Sequence, residues 1–180
     1  MIIWINGSFG AGKTTLSERL RSLLPDSMLF DPEELGYAAC ALVPPAPSGD
    51  FQDLPLWRSL TLHAILEVRR LYHATLIIPM TLVNPAYLTE ILGGLAGHGE
   101  QVAHIYLDLD EEVLRDRITA QVLDQNNPGN DEKVRQWRLA QVDRCLAAKN
   151  RMPAGTTFLN SGTTDPDSLA AQIQALASAA

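Results

Sequence analysis

The sequence predicts an α/β fold of three layers, a five-stranded parallel sheet with helices on both faces, forming a single domain over residues 1–180. Three observations lead there. Short apolar runs of strand length occur five times and alternate with longer stretches of helical period. The runs are apolar throughout rather than alternating with polar residues, as expected of strands covered on both faces. The first run also passes through a glycine-rich turn straight into a helix, so that loops gather beyond the carboxyl ends of the strands.

That first run is Ile2-Ile3-Trp4-Ile5-Asn6, and Gly7-Ser8-Phe9-Gly10-Ala11-Gly12-Lys13-Thr14 follows it. The spacing fits G-x-x-x-x-G-K-[ST], the phosphate-binding loop. From Lys13 onward Leu16, Leu20, Leu23 and Leu24 share a helical face. Gly7, Gly10 and Gly12 permit positive φ and let backbone amides approach phosphate oxygens. Lys13 places a cation at the β- and γ-phosphates, and the Thr14 hydroxyl is placed for Mg²⁺. Ser8, Phe9, Ala11 and Thr15 complete the nucleotide-binding set, with the positive end of the helix dipole behind them. The motif therefore predicts a nucleoside triphosphate as ligand.

Ser27 to Phe30 reads as the second strand, ending at Asp31, and Pro32 to about Leu42 as a helix. Three prolines, Ser48 and Gly49 make residues 43–50 a loop. A long helix is expected from about Leu54 to Tyr72, burying Trp57, Leu60, His63, Ala64, Val68 and Leu71. Thr75 to Pro79 is the third strand, and Pro85 opens a helix that ends near Gly93 to Gly99. Val102 to Leu107 is the fourth strand, and Asp110 reads as the N-cap of a helix from Glu111 to about Gln121. Asp124 to Asp131 is polar and rich in turn formers, the composition of a lid (about residues 119–132). One helix from Glu132 to about Lys149, a fifth strand Thr157 to Asn160, and a last helix from Asp167 complete the chain.

Composition excludes several roles. The net charge of −7 leaves no broad basic face for nucleic acid. Cys40 and Cys145 have no metal or redox spacing and read as two buried thiols in a reducing compartment. Met1 leads directly into a strand, and no apolar run approaches the ~20 residues of a membrane span. A cytoplasmic protein is expected, with at most peripheral membrane contact; oligomeric state leaves no signal in the sequence.

Several residues are candidates for the chemistry. Asp31 stands where a phosphate acceptor would sit and fits a general base or a ligand to Mg²⁺. Asp31, Pro32 and Glu34 also fit N-cap, N1 and N3 of a capped helix, and the roles are compatible. Arg58 fits either an anchor for a polar or anionic substrate or a solvated helix charge. Its neighbour Trp57 reads as core, yet is counted on the substrate side. Arg115, Arg117, Arg135, Arg138 and Arg144 flank the lid, where arginines neutralise charge on a moving phosphoryl group. Arg117 and Arg144 rank first. The third strand runs from Leu76-Ile77-Ile78 into Pro79-Met80-Thr81 without the acid that many phosphate-loop enzymes place there, so Asp31, or Thr14 with water, must serve the metal. His63, His73, His98 and His104 show no ligand spacing. Ser161-Gly162-Thr163 suits a turn under an adenine ring, so Gly162 joins the nucleotide contacts.

The phosphate loop, the missing acid and the polar lid are similar to small P-loop kinases of the nucleoside and nucleotide kinase type. More specifically, Ile2-Ile3-Trp4-Ile5-Asn6-Gly7, Asp31-Pro32-Glu33, Asp50-Phe51-Gln52 with Pro55-Leu56-Trp57-Arg58, Pro79-Met80-Thr81 and Asp143-Arg144-Cys145 resemble the tunicamycin-resistance proteins of bacteria. The resemblance implies a P-loop nucleotide-kinase-like fold and an ATP-binding protein that protects cells from tunicamycin, a nucleoside antibiotic carrying uracil, sugars and a fatty acyl chain. It leaves open whether the drug is modified or only held. The leading expectation is Mg²⁺-dependent transfer of the γ-phosphoryl group of ATP to a hydroxyl of tunicamycin or a related nucleoside-like compound. Lys13, Asp31, Arg117 and Arg144 would carry it. The alternatives are ATP-dependent sequestration and an ordinary metabolic small-molecule kinase. One departure is Gln121, where such kinases often place a second arginine four residues after the first. The family is also associated with membranes through an amphipathic C-terminal helix. Here Leu169, Ile173 and Leu176 share a face, but the last basic residue is Arg151, so this helix is expected to pack on the sheet.

Overall fold

The computed structural model describes residues 1–123 and 125–178. Asp124, within the expected lid, lies outside them. Five strands form one parallel sheet: β1 (Ile2–Gly7), β2 (Ser27–Leu29), β3 (Thr75–Pro79), β4 (Val102–Asp108) and β5 (Thr157–Asn160), in the order β2-β3-β1-β4-β5. β1 is the centre, paired in parallel with β3 and β4, and every one of its residues is buried.

The side-chain period of two divides β1 between two cores. Ile3 and Ile5 pack with Leu16 and Leu20 of α1 (Lys13–Leu23), Leu114 and Ile118 of α6 (Glu111–Ala120), and Leu169 and Ile173 of α9 (Pro166–Ser178). Ile2 and Trp4 pack with Ala39 of α2 (Pro32–Leu42), Trp57 and Ile65 of α3 (Pro55–Tyr72), Leu88 of α4 (Pro85–Leu88), and Leu95 of α5 (Gly94–Gly97). A π-turn, Thr89–Gly93, joins α4 to α5. The last helix lies on the sheet as expected, with Leu169, Ala170 and Ile173 buried and Leu176 partly exposed. Among the described residues no helix is long and apolar enough to cross a membrane.

Four local expectations change. The buried line of α3 is Trp57, Thr61 and Ile65, whereas His63 and Leu71 are exposed and Leu60, Ala64 and Val68 half-buried. Leucines flank that line on both sides, and a close approach selects the face: a Cβ on Gly94 would lie 2.8 Å from Leu62 Cδ2. The expected helix Glu132 to Lys149 begins earlier and is divided into α7 (Pro128–Ala140) and α8 (Val142–Ala148). Asn127 caps α7 by accepting from the Asn130 amide, with Pro128 at its first position. At the break, the Gln141 amide turns to the Arg138 carbonyl at 3.0 Å, and the new direction buries Val142, Cys145 and Ala148. Asp110 occupies the N-cap position of α6, but its side chain makes no capping bond. Of the two thiols, only Cys145 is buried; Cys40, on the outer face of α2, is exposed.

Candidate active site

The turn between β1 and α1 takes the backbone through positive φ at Gly7 (139°), Gly10 (81°) and Gly12 (94°). At Gly10 a side chain is excluded on two counts, because a Cβ would also lie 2.9 Å from Ile118 Cγ1. Lys13 folds back across the loop, and its Nζ donates to Gly7 O at 3.1 Å, Ser8 O at 2.8 Å and Thr81 Oγ1 at 2.7 Å. Burial lowers its pKa to about 8; the nearby Arg138 guanidinium pushes the same way, against Cys145 and Glu33. Thr14 and Thr15 begin α1 on its exposed side and line the cleft above the loop.

The loop is tied to the segment that follows β3. The Asn6 side chain, fully buried, accepts from the Gly7 amide (2.8 Å) and the Leu82 amide (3.0 Å) and donates to Leu82 O (2.6 Å). Its amide also meets His104 Nε2 at 3.2 Å, so the ring takes the tautomer whose Nδ1–H donates to Thr156 Oγ1 at 2.8 Å. Burial pushes the His104 pKa down to about 4, consistent with a neutral ring. Thr81 donates to Gly7 O at 2.9 Å, and its own carbonyl accepts from buried Gln52 at 2.9 Å.

A cleft of about 930 Å³ runs along the carboxyl end of the sheet. On the β2 side it is lined by Leu29, Phe30, Asp31 and Glu33. Asp31 is exposed, and its Oδ1 accepts from the Glu33 amide at 2.9 Å, so the helix-capping role is realised. Glu33, half-buried, has its pKa raised by burial and by Asp31, against the pull of Lys13 and Arg138. On the β5 side the cleft is lined by Arg117, Gln121 and residues 161–166. Arg117 donates to Ser161 O at 2.9 Å, while the Gly162 amide donates to Asn160 Oδ1 at 2.8 Å. A side chain at Gly162 would be crowded by the protein itself, since a Cβ there would lie 3.2 Å from both Asn160 Oδ1 and Leu109 Cβ. Arg138 reaches the cleft from α7, donates to Gln121 Oε1 at 2.7 Å and stands 5.6 Å from the Phe9 ring, which packs edge-on against Trp137.

Three expected site residues lie elsewhere. Trp57 is fully buried and donates from Nε1 to Pro32 O at 2.9 Å, supporting the first turn of α2 from behind rather than meeting a ligand. Arg58 is committed to structure: Nε pairs with Glu90 at 2.6 Å, Nη1 donates to Gln52 O at 2.7 Å, and the guanidinium lies 4.2 Å from the Tyr87 ring centre. Arg144 lies outside the cleft lining, 3.7 Å from Asp50. In its place the cleft holds Arg138, one of the five lid arginines but not one of the two ranked first. Glu33 and Gln52 were missed as functional candidates, and Thr81, expected at the ligand end of the sheet, had no role assigned, although each lies within a stretch that carries the family resemblance.

Among the described residues no group of three or more His, Cys, Asp or Glu side chains could cage a metal. Oxygen donors on the cleft wall include the Thr14 hydroxyl and the carboxylates of Asp31 and Glu33. That sparse set fits Mg²⁺ carried on nucleotide phosphates and water rather than an ion held by protein alone.

A family profile described as AAA domain matches residues 2–149. No curated protein matches the chain. Among solved structures, the chain is similar to the Deinococcus radiodurans tunicamycin resistance protein, at 32% identity over 98% of this chain and 94% of that one, with a TM-score of 0.73. A sugar kinase from Janibacter sp. HTCC2649 (16% identity, covering 97% and 92%, TM-score 0.65) shares the fold. So does the Mycobacterium tuberculosis APS kinase CysC (13% identity, covering 98% and 96%, TM-score 0.63), whose structure holds AMPPNP and APS. The phosphate loop, the parallel sheet and the identity over nearly the whole length agree: the chain belongs to the AAA-domain family and, within it, to the tunicamycin-resistance proteins.

Proposed function

We propose that this protein binds ATP with Mg²⁺ and transfers the γ-phosphoryl group to a hydroxyl of tunicamycin or a related nucleoside-like compound. One observation carries the reading: a single cleft joins the phosphate loop to a half-buried carboxylate, Glu33, beside Lys13. The triphosphate lies against the loop amides, Lys13 and the start of α1. Mg²⁺ bound with it supplies charge neutralisation at the phosphates, with Thr14 and Asp31 as the residues that hold it. Glu33 takes the proton from the acceptor hydroxyl. The acceptor oxygen forms a bond to the γ-phosphorus as the bond from the β–γ bridging oxygen breaks, and ADP leaves. Arg117 and Arg138 are the cations on the opposite wall, available to charge on the moving group. Gly162 and the turn around it suit the adenine.

A second reading, ATP-dependent sequestration without turnover, draws support from the end of β3, which lacks an acid, and from Gln121, which bonds Arg138 where a second arginine is common. Mass spectrometry of tunicamycin incubated with protein and Mg-ATP separates the two. Transfer adds one phosphoryl group to the drug, and Lys13→Ala abolishes the gain. An unchanged drug mass, with ATP-dependent drug binding by calorimetry, refutes transfer in favour of sequestration.

A further inference from the structure

We infer that Thr81, two residues beyond the end of β3, is a positioning residue for the phosphate loop: its hydroxyl fixes both the Lys13 amine and the Gly7 carbonyl. This rests on phosphate binding by the loop, which the proposed function shares, and not on transfer to any acceptor.

The geometry is that of a fixed post. Thr81 is 2% exposed, and its one hydroxyl serves two partners, donating to Gly7 O at 2.9 Å and accepting from Lys13 Nζ at 2.7 Å. Behind it, Gln52 Nε2 holds the Thr81 carbonyl at 2.9 Å. Gln52 is held in turn by Asp50, which accepts from its amide at 3.0 Å, and by Arg58, which donates to its carbonyl at 2.7 Å. The Lys13 side chain is long and flexible, and an ammonium on such a stem is poorly directed without fixed acceptors. Gly7 is the first residue of the loop and stands at φ 139°, where glycine has no preference of its own to hold it. Thr81 restrains both from the segment that leaves β3, the strand paired directly to β1. The stretches around Gln52 and Thr81 thus converge on one task, with Arg58 as the far support of the same chain of bonds.

Thr81→Val keeps the shape and removes the hydroxyl, whereas Thr81→Ser keeps the hydroxyl. Calorimetry with ATP, ADP, AMP and adenosine gives the test, because Lys13 addresses the β- and γ-phosphates. The Val variant is expected to bind ATP and ADP about tenfold more weakly, the size of one charge-assisted hydrogen bond. AMP and adenosine should bind as they do to the unaltered protein, and the Ser variant should restore the loss. Amide exchange at residues 7–13 of the ligand-free protein should rise with Thr81→Val. Gln52→Leu, which unties the post without touching Lys13, should give a smaller loss with the same dependence on phosphate number. Unchanged or tighter ATP binding by Thr81→Val overturns the inference, as does a Ser variant no better than Val. An equal loss for adenosine assigns the residue to general packing and overturns it as well. Failure of the unaltered protein to bind ATP removes the nucleotide reading itself, whereas phosphate-dependent loss without any drug phosphorylation leaves the inference standing and refutes only transfer.

Discussion

Gly10→Ala and Gly12→Ala each add one methyl group at neighbouring turns of the same loop, yet the structure predicts different costs. Both glycines stand at positive φ, 81° and 94°, where an L side chain costs roughly 1–2 kcal/mol. A Cβ at Gly12 meets nothing within 4 Å, so strain is its whole penalty. At Gly10 the Cβ would lie 2.9 Å from Ile118 Cγ1 and 3.5 Å from Leu114 Cδ1. Ile118 is 1% exposed in the core between α6 and the sheet, so it has no free space to move into. Overpacking of that kind costs a further ~1–3 kcal/mol. Gly10→Ala should therefore destabilise by about 2–5 kcal/mol and Gly12→Ala by about 1–2 kcal/mol, read from urea unfolding midpoints at constant m-value. A double-mutant cycle with Ile118→Ala identifies the cause, since Gly10→Ala should cost about 1–3 kcal/mol less in that background. Nucleotide affinity should follow, because displacing Ile118 disturbs its neighbour Arg117 on the cleft wall. Equal costs at the two glycines, or the absence of coupling to Ile118, would refute the contact argument.

Asp31→Asn retains a good helix cap and should leave stability unchanged, whereas Glu33→Gln should lower turnover by about 10²–10⁴-fold with the melting temperature preserved. A fully active Glu33→Gln enzyme sinks its assignment as base. Because the folded-state pKa of His104 is lowered from 6.5 to about 4, the unfolded chain takes up a proton first on acidification. Stability should fall as pH drops from about 6.5 towards 4, with His104 contributing about 3 kcal/mol of that loss. His104→Gln can replace both of its hydrogen bonds, so urea unfolding across this pH range should show a shallower acid slope; identical slopes would count against the buried neutral ring. A thiol reagent should label Cys40 at once in the native protein and reach Cys145 only on unfolding. Two rapid labels would contradict the packing of α8.

The phosphate loop and the five strands were legible because their signals are local: a fixed spacing, and apolar runs of strand length. What the sequence left open depends on distant partners. Arg58 reads as a free cation until Glu90, 32 residues away, is brought to its Nε. Arg144 and Arg138 look alike in a charged helix, and only the break at Gln141 turns one into the cleft and the other towards Asp50. The buried face of α3 was ambiguous because leucines flank it on both sides, and Gly94 decides between them. Glu33 was overlooked because adjacent carboxylates at a helix start read equally well as caps; its half-burial beside Lys13 becomes visible only once the sheet is assembled.

The order of the strands separates what this fold holds constant from what it can vary. The phosphate loop extends from β1, which cannot shift without breaking ladders on both sides. Asp31 and Glu33 extend from β2, a three-residue edge strand, and the Gly162 turn from β5, a four-residue edge strand. Few ladder bonds tie either edge, so a lengthened turn or a changed register there disturbs little of the core. Under the proposed function, acceptor and base preference can therefore drift, or be re-engineered by grafting edge segments, while the phosphate loop stays insulated at the centre.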